Sequence, residues 1–472
     1  MNFALDVVDA APRAGRALVA LDASGARREL SFGEVAGRSA RLAGALAERG
    51  VGRGDVVMTV VGSTPEWVLA LVACFRIGAV ALPCTEQLRV DDLRARLEAI
   101  PPRLVVASQR NVRTVTEAGF DGPLVRVPDE SLFDSPPAPA VELEPEEPAL
   151  VSFTSGTAGE PRPIRHGQRY LAGQRVQAEH WLGARPGELV WCTAASGWSK
   201  SARNVFVAPW LRGAGALLED RRFEPQERLA TAEREGVNVL CMVPTEYRAV
   251  AKRAELRRLP ALRHAVAAGE PLDPAVVHAW RAAIGVEIHD GYGQTETGAL
   301  TGMPLGEPVR AGSMGRSLPG FEVWVEDGEL CADPATVPTF FIDGRRDRPW
   351  RTGDRVRADE DGYLWFEGRT DDVIISSGYR IGPFEVESAL GSHPAVAEAA
   401  AVAAPDELRG SVVRAVVVLR DGERSSDELA RALQEHVKER TAPYKYPRLV
   451  EFVDALPKTA SGKVRRAALR ET

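Results

Sequence analysis

Nearly unbroken apolar runs of strand length recur through the first 270 or so residues. They are Val56–Val61, Val80–Leu82, Leu104–Ala107, Ala149–Val151, Leu189–Thr193, Ala214–Leu218, Val237–Val243 and Ala265–Ala268. Strands buried on both faces read this way, and they belong to parallel sheets covered by crossover helices. The intervening stretches supply those helices. Ser31-Phe32-Gly33-Glu34 predicts a capping box, with Gly50 as the stop. Thr64-Pro65 opens a second helix that ends near Gly78, and Asp91–Ala99 and Pro225–Glu235 are two more. Ser135–Pro148, with its prolines and acids, predicts a surface connector. From Gly302 to Phe366 the pattern becomes short strands and Gly/Pro turns, a small β-rich subdomain. Past Asp371, Pro383–Leu390 and Asp427–Arg440 predict helices, and Val412–Leu419 and Leu449–Val453 predict strands. The expected architecture is α/β: a large N-terminal domain of layered sheets over 1–370, including the β-rich part, then a small α+β C-terminal domain over 371–472.

Composition narrows the function. A net charge of −7 excludes bulk nucleic-acid binding. The five cysteines are scattered with no metal-site or redox spacing, which predicts a reducing compartment. The start lacks a basic segment followed by an apolar core, and the longest apolar stretch, Val68–Leu82, is broken by Arg76. A cytoplasmic enzyme with no membrane span is expected.

Several clusters can carry chemistry. After Ala149–Val151 comes Thr154-Ser155-Gly156-Thr157-Ala158-Gly159-Glu160-Pro161-Arg162. Its backbone N–H groups and hydroxyls can wrap polyphosphate oxygens, although the same composition suits a plain linker. Asp290-Gly291-Tyr292-Gly293-Gln294-Thr295-Glu296 follows a short strand, Glu287–His289. Its glycines allow close approach of a ligand, Tyr292 offers a stacking face, and Glu296 is a hard oxygen ligand for Mg²⁺; a Gly-rich turn is the alternative. Gly269-Glu270-Pro271 stands at a strand end, where ligands collect in α/β folds. Asp354, after a glycine turn, can accept two hydroxyls, as a ribose would require. Arg369 and Asp371 lie where the composition shifts, and Lys463 sits on a glycine-containing loop from which a lysine can reach into a site.

Together the segments FTSGTAGEPR, GEP, DGYGQTET, RTGD, GRTDD, SSGYRIG and PKTASGK resemble, in order and approximate spacing, the adenylate-forming enzymes. These comprise acyl-CoA synthetases, peptide-synthetase adenylation domains and luciferases. The tail is most similar to that of the medium-chain acyl-CoA synthetases. The resemblance implies that ATP and Mg²⁺ activate a carboxylic acid as an acyl-adenylate, whose acyl group passes to coenzyme A. It implies that residues 154–162 grip the β- and γ-phosphates and that Gly269, Glu270 and Pro271 line the acyl-adenylate site. Asp290, Gly291 and Tyr292, followed by Gly293 and Gln294, would hold adenine. Thr295 would bond the α-phosphate, Glu296 the metal, Asp354 the ribose and Arg369 the nucleotide. Lys463 would be the adenylation lysine. Asp371 would be the hinge about which the C-terminal domain rotates, bringing Gly378 and Arg380 to the site for thioester formation. Arg409, Lys438 and Lys445, with Arg380, would meet CoA phosphates, or form a solvated basic face.

The acyl pocket would be lined by Gly197-Trp198, Lys200-Ser201, Val243-Pro244-Thr245 and Gly269–Pro271. Trp198 could cap a medium chain or stack on an aromatic acid, and Lys200 could select a polar acid or face solvent. Glu160 stands where many members have lysine, and Ala158 removes a hydroxyl, so an altered pyrophosphate grip is expected. The segment around Gly328-Glu329-Leu330 is short, which bears on dimer contacts; a homodimer is compatible with the family. Two other readings remain: an enzyme that loads a carrier protein or an amine, and a degenerate nucleotide-binding module.

Overall fold

The computed structural model describes the chain apart from residues 155–160, 371, 377–378, 407–408, 460–461 and 471–472, and at Arg380 the backbone alone. The α/β reading holds, and the chain forms two compact units.

The first unit comprises Met1–Thr154, Arg162–Glu322 and Asp333–Arg348. One of its sheets has six strands, in the order Leu124–Val127, Leu104–Ser108, Val56–Val60, Val80–Cys84, Pro148–Phe153 and Pro163–Gly167. All pairs are parallel except the last, an antiparallel hairpin. Alternate residues Met58, Val60, Leu82, Val105 and Val151 pack with Leu93 and Val115 of the covering helices. The second sheet has nine strands: Arg316–Ser317, Gly298–Gly302, Ile288–Gln294, His264–Ala268, Val239–Met242, Leu189–Cys192, Gly215–Glu219, Arg16–Leu21 and Arg27–Ser31. Its core sets Trp191, Leu217, Leu240, Met242 and Ala267 against Leu229, Tyr247, Val250 and Trp280.

The helix signals are realised in detail. Ser31 Oγ accepts from Glu34 N at 3.2 Å, and the Glu34 carboxylate accepts from Ser31 N at 2.8 Å, closing the capping box of Phe32–Glu48. Helix Pro65–Ile77 is buried all round except at Glu66 and stops at Gly78 (φ 71°). The one cation in its buried run, Arg76, pairs with Asp9 at 2.5 Å.

Several strands escaped the apolar pattern, Pro163–Gly167, Gly298–Gly302 and Val396–Asp406 among them. Arg27–Ser31 is an edge strand whose first three residues are exposed, so it carries charge where a buried strand carries valine. Its partner Arg16–Leu21 and the short Leu124–Val127 were likewise not anticipated. The stretch 135–148 lies mostly at the surface but is strapped down: Ala138 N bonds Ala40 O at 2.9 Å, Val141 N bonds Arg76 O at 3.0 Å, and Leu143 is buried.

The second unit contains Val323–Ala332 and the chain from Pro349 onward. Strands Val323–Glu326, Glu329–Ala332, Trp350–Ala358 and Leu364–Arg369 form an antiparallel sheet. A three-stranded sheet joins Val396–Asp406, Gly410–Leu419 and Leu449–Phe452. Both its faces are covered: Val413, Ala415 and Val417 pack with helices Pro383–Gly391 and Asp427–Arg440, while Val416 packs with Leu456 and Leu469. Among the described residues no helix is long and apolar enough to cross a membrane. All five cysteines are free and buried.

Candidate active site

In the first unit the site is built at the ends of adjacent parallel strands. Leu189–Cys192, Val239–Met242, His264–Ala268 and Ile288–Gln294 lie side by side, and the segments following or ending them carry Lys200, Thr245, Gly269 and Tyr292. Strands in register deliver their exits to one edge, where loops are free of ladder hydrogen bonds. A small cavity of about 20 Å³ opens there, lined by Lys200, Arg203, Gly269, Gly291, Tyr292 and Gly293 among others.

The sequence placed Asp290–Gln294 after a strand; the structure puts all five within it, since Ile288–Gln294 is one element. It reverses through the turn Thr295–Thr297 into Gly298–Gly302. The two glycines are required by packing rather than by ligand approach. A Cβ at Gly293 would lie 1.9 Å from Gly298 O, and one at Gly291 would lie 2.7 Å from Trp181 Nε1. Asp290 is 4% exposed, and its Oδ1 accepts from Gly291 N at 2.9 Å while its carbonyl accepts from Met303 N at 2.8 Å. Burial pushes its carboxyl well above the usual carboxylate range. Its polar groups therefore brace the strand that presents Tyr292.

The strands that flank the hydroxyl-rich segment in sequence, Pro148–Phe153 and Pro163–Gly167, pair as an antiparallel hairpin. Thr154 N donates to Arg162 O at 2.9 Å, and Arg162 N donates to Thr154 Oγ1 at 3.0 Å, which closes the neck and leaves Arg162 exposed. Ser155, Gly156, Thr157, Ala158, Gly159 and Glu160 lie outside the described residues. The neck and the Thr295–Thr297 turn share one support, the segment 338–343. Thr339 Oγ1 donates to Thr297 O at 2.5 Å, and Phe341 N donates to Glu296 O at 2.8 Å. Ile342 N donates to Arg165 O at 2.9 Å, Arg165 Nε pairs with Asp343 at 2.9 Å, and Arg169 Nη1 reaches Pro338 O at 2.6 Å. His166 of the hairpin is fully buried, 4.0 Å centroid to centroid from Tyr170; burial first, then the nearby Arg203 guanidinium, lower its pKa to about 3.

The Glu296 side chain is half-buried and has no ion pair among the described residues. No group of three or more His, Cys, Asp or Glu residues among the described residues could hold a metal by itself. One available carboxylate fits Mg²⁺, which is usually bound by one or two carboxylates together with substrate phosphates and water.

The acyl-side candidates divide. Gly269 (φ 105°) lines the cavity, with Lys200 Nζ 2.8 Å from where its Cβ would stand; Lys200 itself donates to Ala268 O at 3.1 Å. Thr245 Oγ1 donates to Glu270 at 2.5 Å and so orients that carboxylate; Pro271 follows, half-buried. Gly197 (φ 88°) is explained by backbone contact, since its Cβ would lie 2.1 Å from Thr85 N. Trp198 does not line the cavity; its ring lies 5.6 Å from Lys200 Nζ. Arg203, Gln177 and Trp181 do line it and were not singled out from sequence. Arg203 could have been found as the residue one helical turn beyond Lys200.

In the second unit Asp354 and Arg369 are cross-strand partners, with Nη1 3.1 Å from Oδ1 and Asp354 5% exposed. Thr459 N donates to Lys463 O at 2.8 Å, and Lys463 N donates to Thr459 Oγ1 at 3.2 Å. The half-buried Lys463 ammonium has no ion pair among the described residues. Arg409 pairs with Asp406 at 3.6 Å, Lys438 with Glu435, and Lys445 with Glu385, so each of these cations already has an acid beside it. Asp371, Gly378 and the Arg380 side chain lie outside the described residues.

Comparison with known proteins agrees with this arrangement. The AMP-binding enzyme family matches residues 8–338, and the AMP-binding enzyme C-terminal domain matches 385–463. The acyl–CoA ligase YtcI of Bacillus subtilis, itself described as uncharacterized, is 40% identical over 96% of this chain and 92% of its own. Human mitochondrial acyl-coenzyme A synthetase ACSM3 is 37% identical, covering 100% of this chain and 89% of its own. Two solved structures are also similar. The anthranilate CoA ligase AuaEII in complex with anthranoyl-AMP has a TM-score of 0.88 at 27% identity, over 99% of this chain and 96% of that one. A benzoate CoA ligase from Burkholderia xenovorans LB400 has a TM-score of 0.89 at 28% identity, over 100% of both chains. The chain belongs to the AMP-binding enzyme family and, within it, is an AMP-forming acid–thiol ligase.

Proposed function

We propose that the protein uses ATP to activate a medium-chain fatty acid or an aromatic acid as its acyl-adenylate, then transfers the acyl group to coenzyme A, releasing pyrophosphate and AMP. The observation that carries this reading is the strand that presents Tyr292 to a cavity at parallel strand ends and runs on into the Thr295–Thr297 turn, which shares its support on segment 338–343 with the hairpin neck. In the first step a substrate carboxylate oxygen bonds the α-phosphorus and the bond to pyrophosphate breaks. Two anions must meet, so positioning and neutralisation do the work. Thr154 to Arg162 grips the β- and γ-phosphates, Thr295 bonds the α-phosphate, and Tyr292 stacks on adenine. Asp354, held by Arg369, takes the ribose hydroxyls, and Lys463 supplies the mobile positive charge. Glu296 would hold Mg²⁺, which supplies charge neutralisation on the phosphates. In the second step the CoA thiolate attacks the acyl carbonyl and AMP leaves. The division of labour falls at Asp371, with residues 371–472 turning to exchange Lys463 for Gly378 and Arg380, and Arg409, Lys438 and Lys445 serving the CoA phosphates. A cytoplasmic setting and a homodimer complete the proposal.

The test is ATP–pyrophosphate exchange over straight-chain acids from C2 to C12, branched acids and aromatic acids, followed by product analysis with and without CoA. Acid-dependent exchange with acyl-CoA formed only when CoA is present is expected. Exchange with acyl transfer to a carrier protein or an amine instead of CoA would overturn the acceptor assignment.

A further inference from the structure

Arg203 is only 7% exposed and lines the cavity beside Gly269, Tyr292 and Gly293. Among the described residues no carboxylate pairs with it, and its Nε has no hydrogen-bond partner. Among the described residues the groups around it supply no anion. Tyr170 faces the guanidinium as a phenol whose ionisation burial opposes, and His166 is held neutral. Lys200, one helical turn earlier, places a second cation on the same cavity, with its Nζ at Ala268 O. Arg203 also begins a widened, π-type turn over Arg203–Val207, a local irregularity that recurs at functional positions.

Burying a guanidinium without a carboxylate costs several kcal/mol in general, and a fully apolar side chain would avoid that cost. A purely hydrocarbon acyl tail would leave the cost in place. A planar oxyanion offsets it, because a carboxylate can meet the guanidinium fork with two parallel hydrogen bonds. We infer that the acid this enzyme activates is a dicarboxylic acid, aliphatic or aromatic, whose second carboxylate is held by Arg203 with Lys200 beside it. The inference rests on the acyl-activating reading above and replaces its fatty or aromatic monoacid with a diacid, making Arg203 a specificity-determining residue.

The experiment pairs acids that differ only in the second carboxylate: butyrate with succinate, hexanoate with adipate, and benzoate with phthalate and its isomers. Full-length enzyme is assayed by ATP–pyrophosphate exchange and by CoA-thioester formation, as wild type, Arg203→Leu and Arg203→Lys. In at least one pair the wild type is expected to favour the dicarboxylic acid by about tenfold or more in kcat/KM, as a charged hydrogen bond allows. Arg203→Leu should reverse that preference, and Arg203→Lys should keep its direction while weakening it. A wild type that prefers the monoacid in every pair overturns the inference without any need for a variant. An equal loss on both members of a pair in Arg203→Leu also overturns it, and would assign the guanidinium to the reacting carboxylate. Absence of exchange with every acid would instead defeat the acyl-activating reading, and this inference with it.

Discussion

Asp290 shows how a residue named by a motif can serve it from behind. Its carboxyl is shut away from water and keeps the proton well above the usual carboxylate range. A raised folded-state pKa means the folded protein binds the proton more tightly than the unfolded chain does. The penalty is absent below the unfolded pKa of about 4, grows as pH rises from there to the folded value, and is constant beyond it. Asp290→Asn keeps an oxygen for Gly291 N and removes the charge. It should therefore be more stable than wild type near neutral pH, with the difference shrinking toward pH 4 in denaturant titrations; a parallel pH profile for the two proteins would refute this. Lys463 poses the opposite case, a half-buried cation with no acid beside it among the described residues. Lys463→Ala should lower pyrophosphate exchange by at least about 100-fold, the scale on which single transition-state contacts act. It should still convert supplied acyl-adenylate and CoA to thioester, and equal loss of both steps would remove the role assigned to it.

At the scale of elements, the turn Thr295–Thr297 is positioned by the close pairing of two strands. Gly293 faces Ala299 where the register shifts, with Gly298 O in the space a side chain would need. Gly293→Ala forces that pairing open and should destabilise the first unit by about 1–3 kcal/mol, read as a lower urea midpoint. Exchange should fall with it, because the strand carrying Tyr292 and the turn carrying Thr295 move together. An unchanged midpoint would mean the strand end relaxes freely. The same kind of support explains the hairpin neck, since segment 338–343 bonds both the hairpin and the turn and so couples two motifs far apart in sequence.

For the whole molecule, the residues proposed for the reaction divide between the compact units: Tyr292 and Thr295 lie in the first, Asp354 and Lys463 in the second. Two chemical steps with different needs then become separable by mutation. Gly378→Leu should leave acid-dependent pyrophosphate exchange near the wild-type rate and block thioester formation, as a bulky side chain in the path of a pantetheine arm would. Normal CoA turnover in this variant would refute the role proposed for Gly378. The partition also explains why the second unit has covered faces of its own: a body that takes part in two steps needs a core independent of its partner.

Apolar runs, capping residues and glycine stops were enough to establish the α/β class, most strands and the helices that cover them, because burial on both faces imposes a continuous hydrophobic pattern. The ordered motifs were enough to place the chain in its family. The edge strand Arg27–Ser31 was not legible, since solvent on its exposed side permits charges that look like loop. Nor was it legible that Gly291 and Gly293 answer to Trp181 and Gly298, or that Asp290 is braced inward, because those depend on neighbours brought up by strand pairing. The unpaired burial of Arg203 among the described residues was not legible for the same reason. Its burial without a carboxylate is a property of the space around it, and only the packing of helix, hairpin and parallel strand ends creates that space.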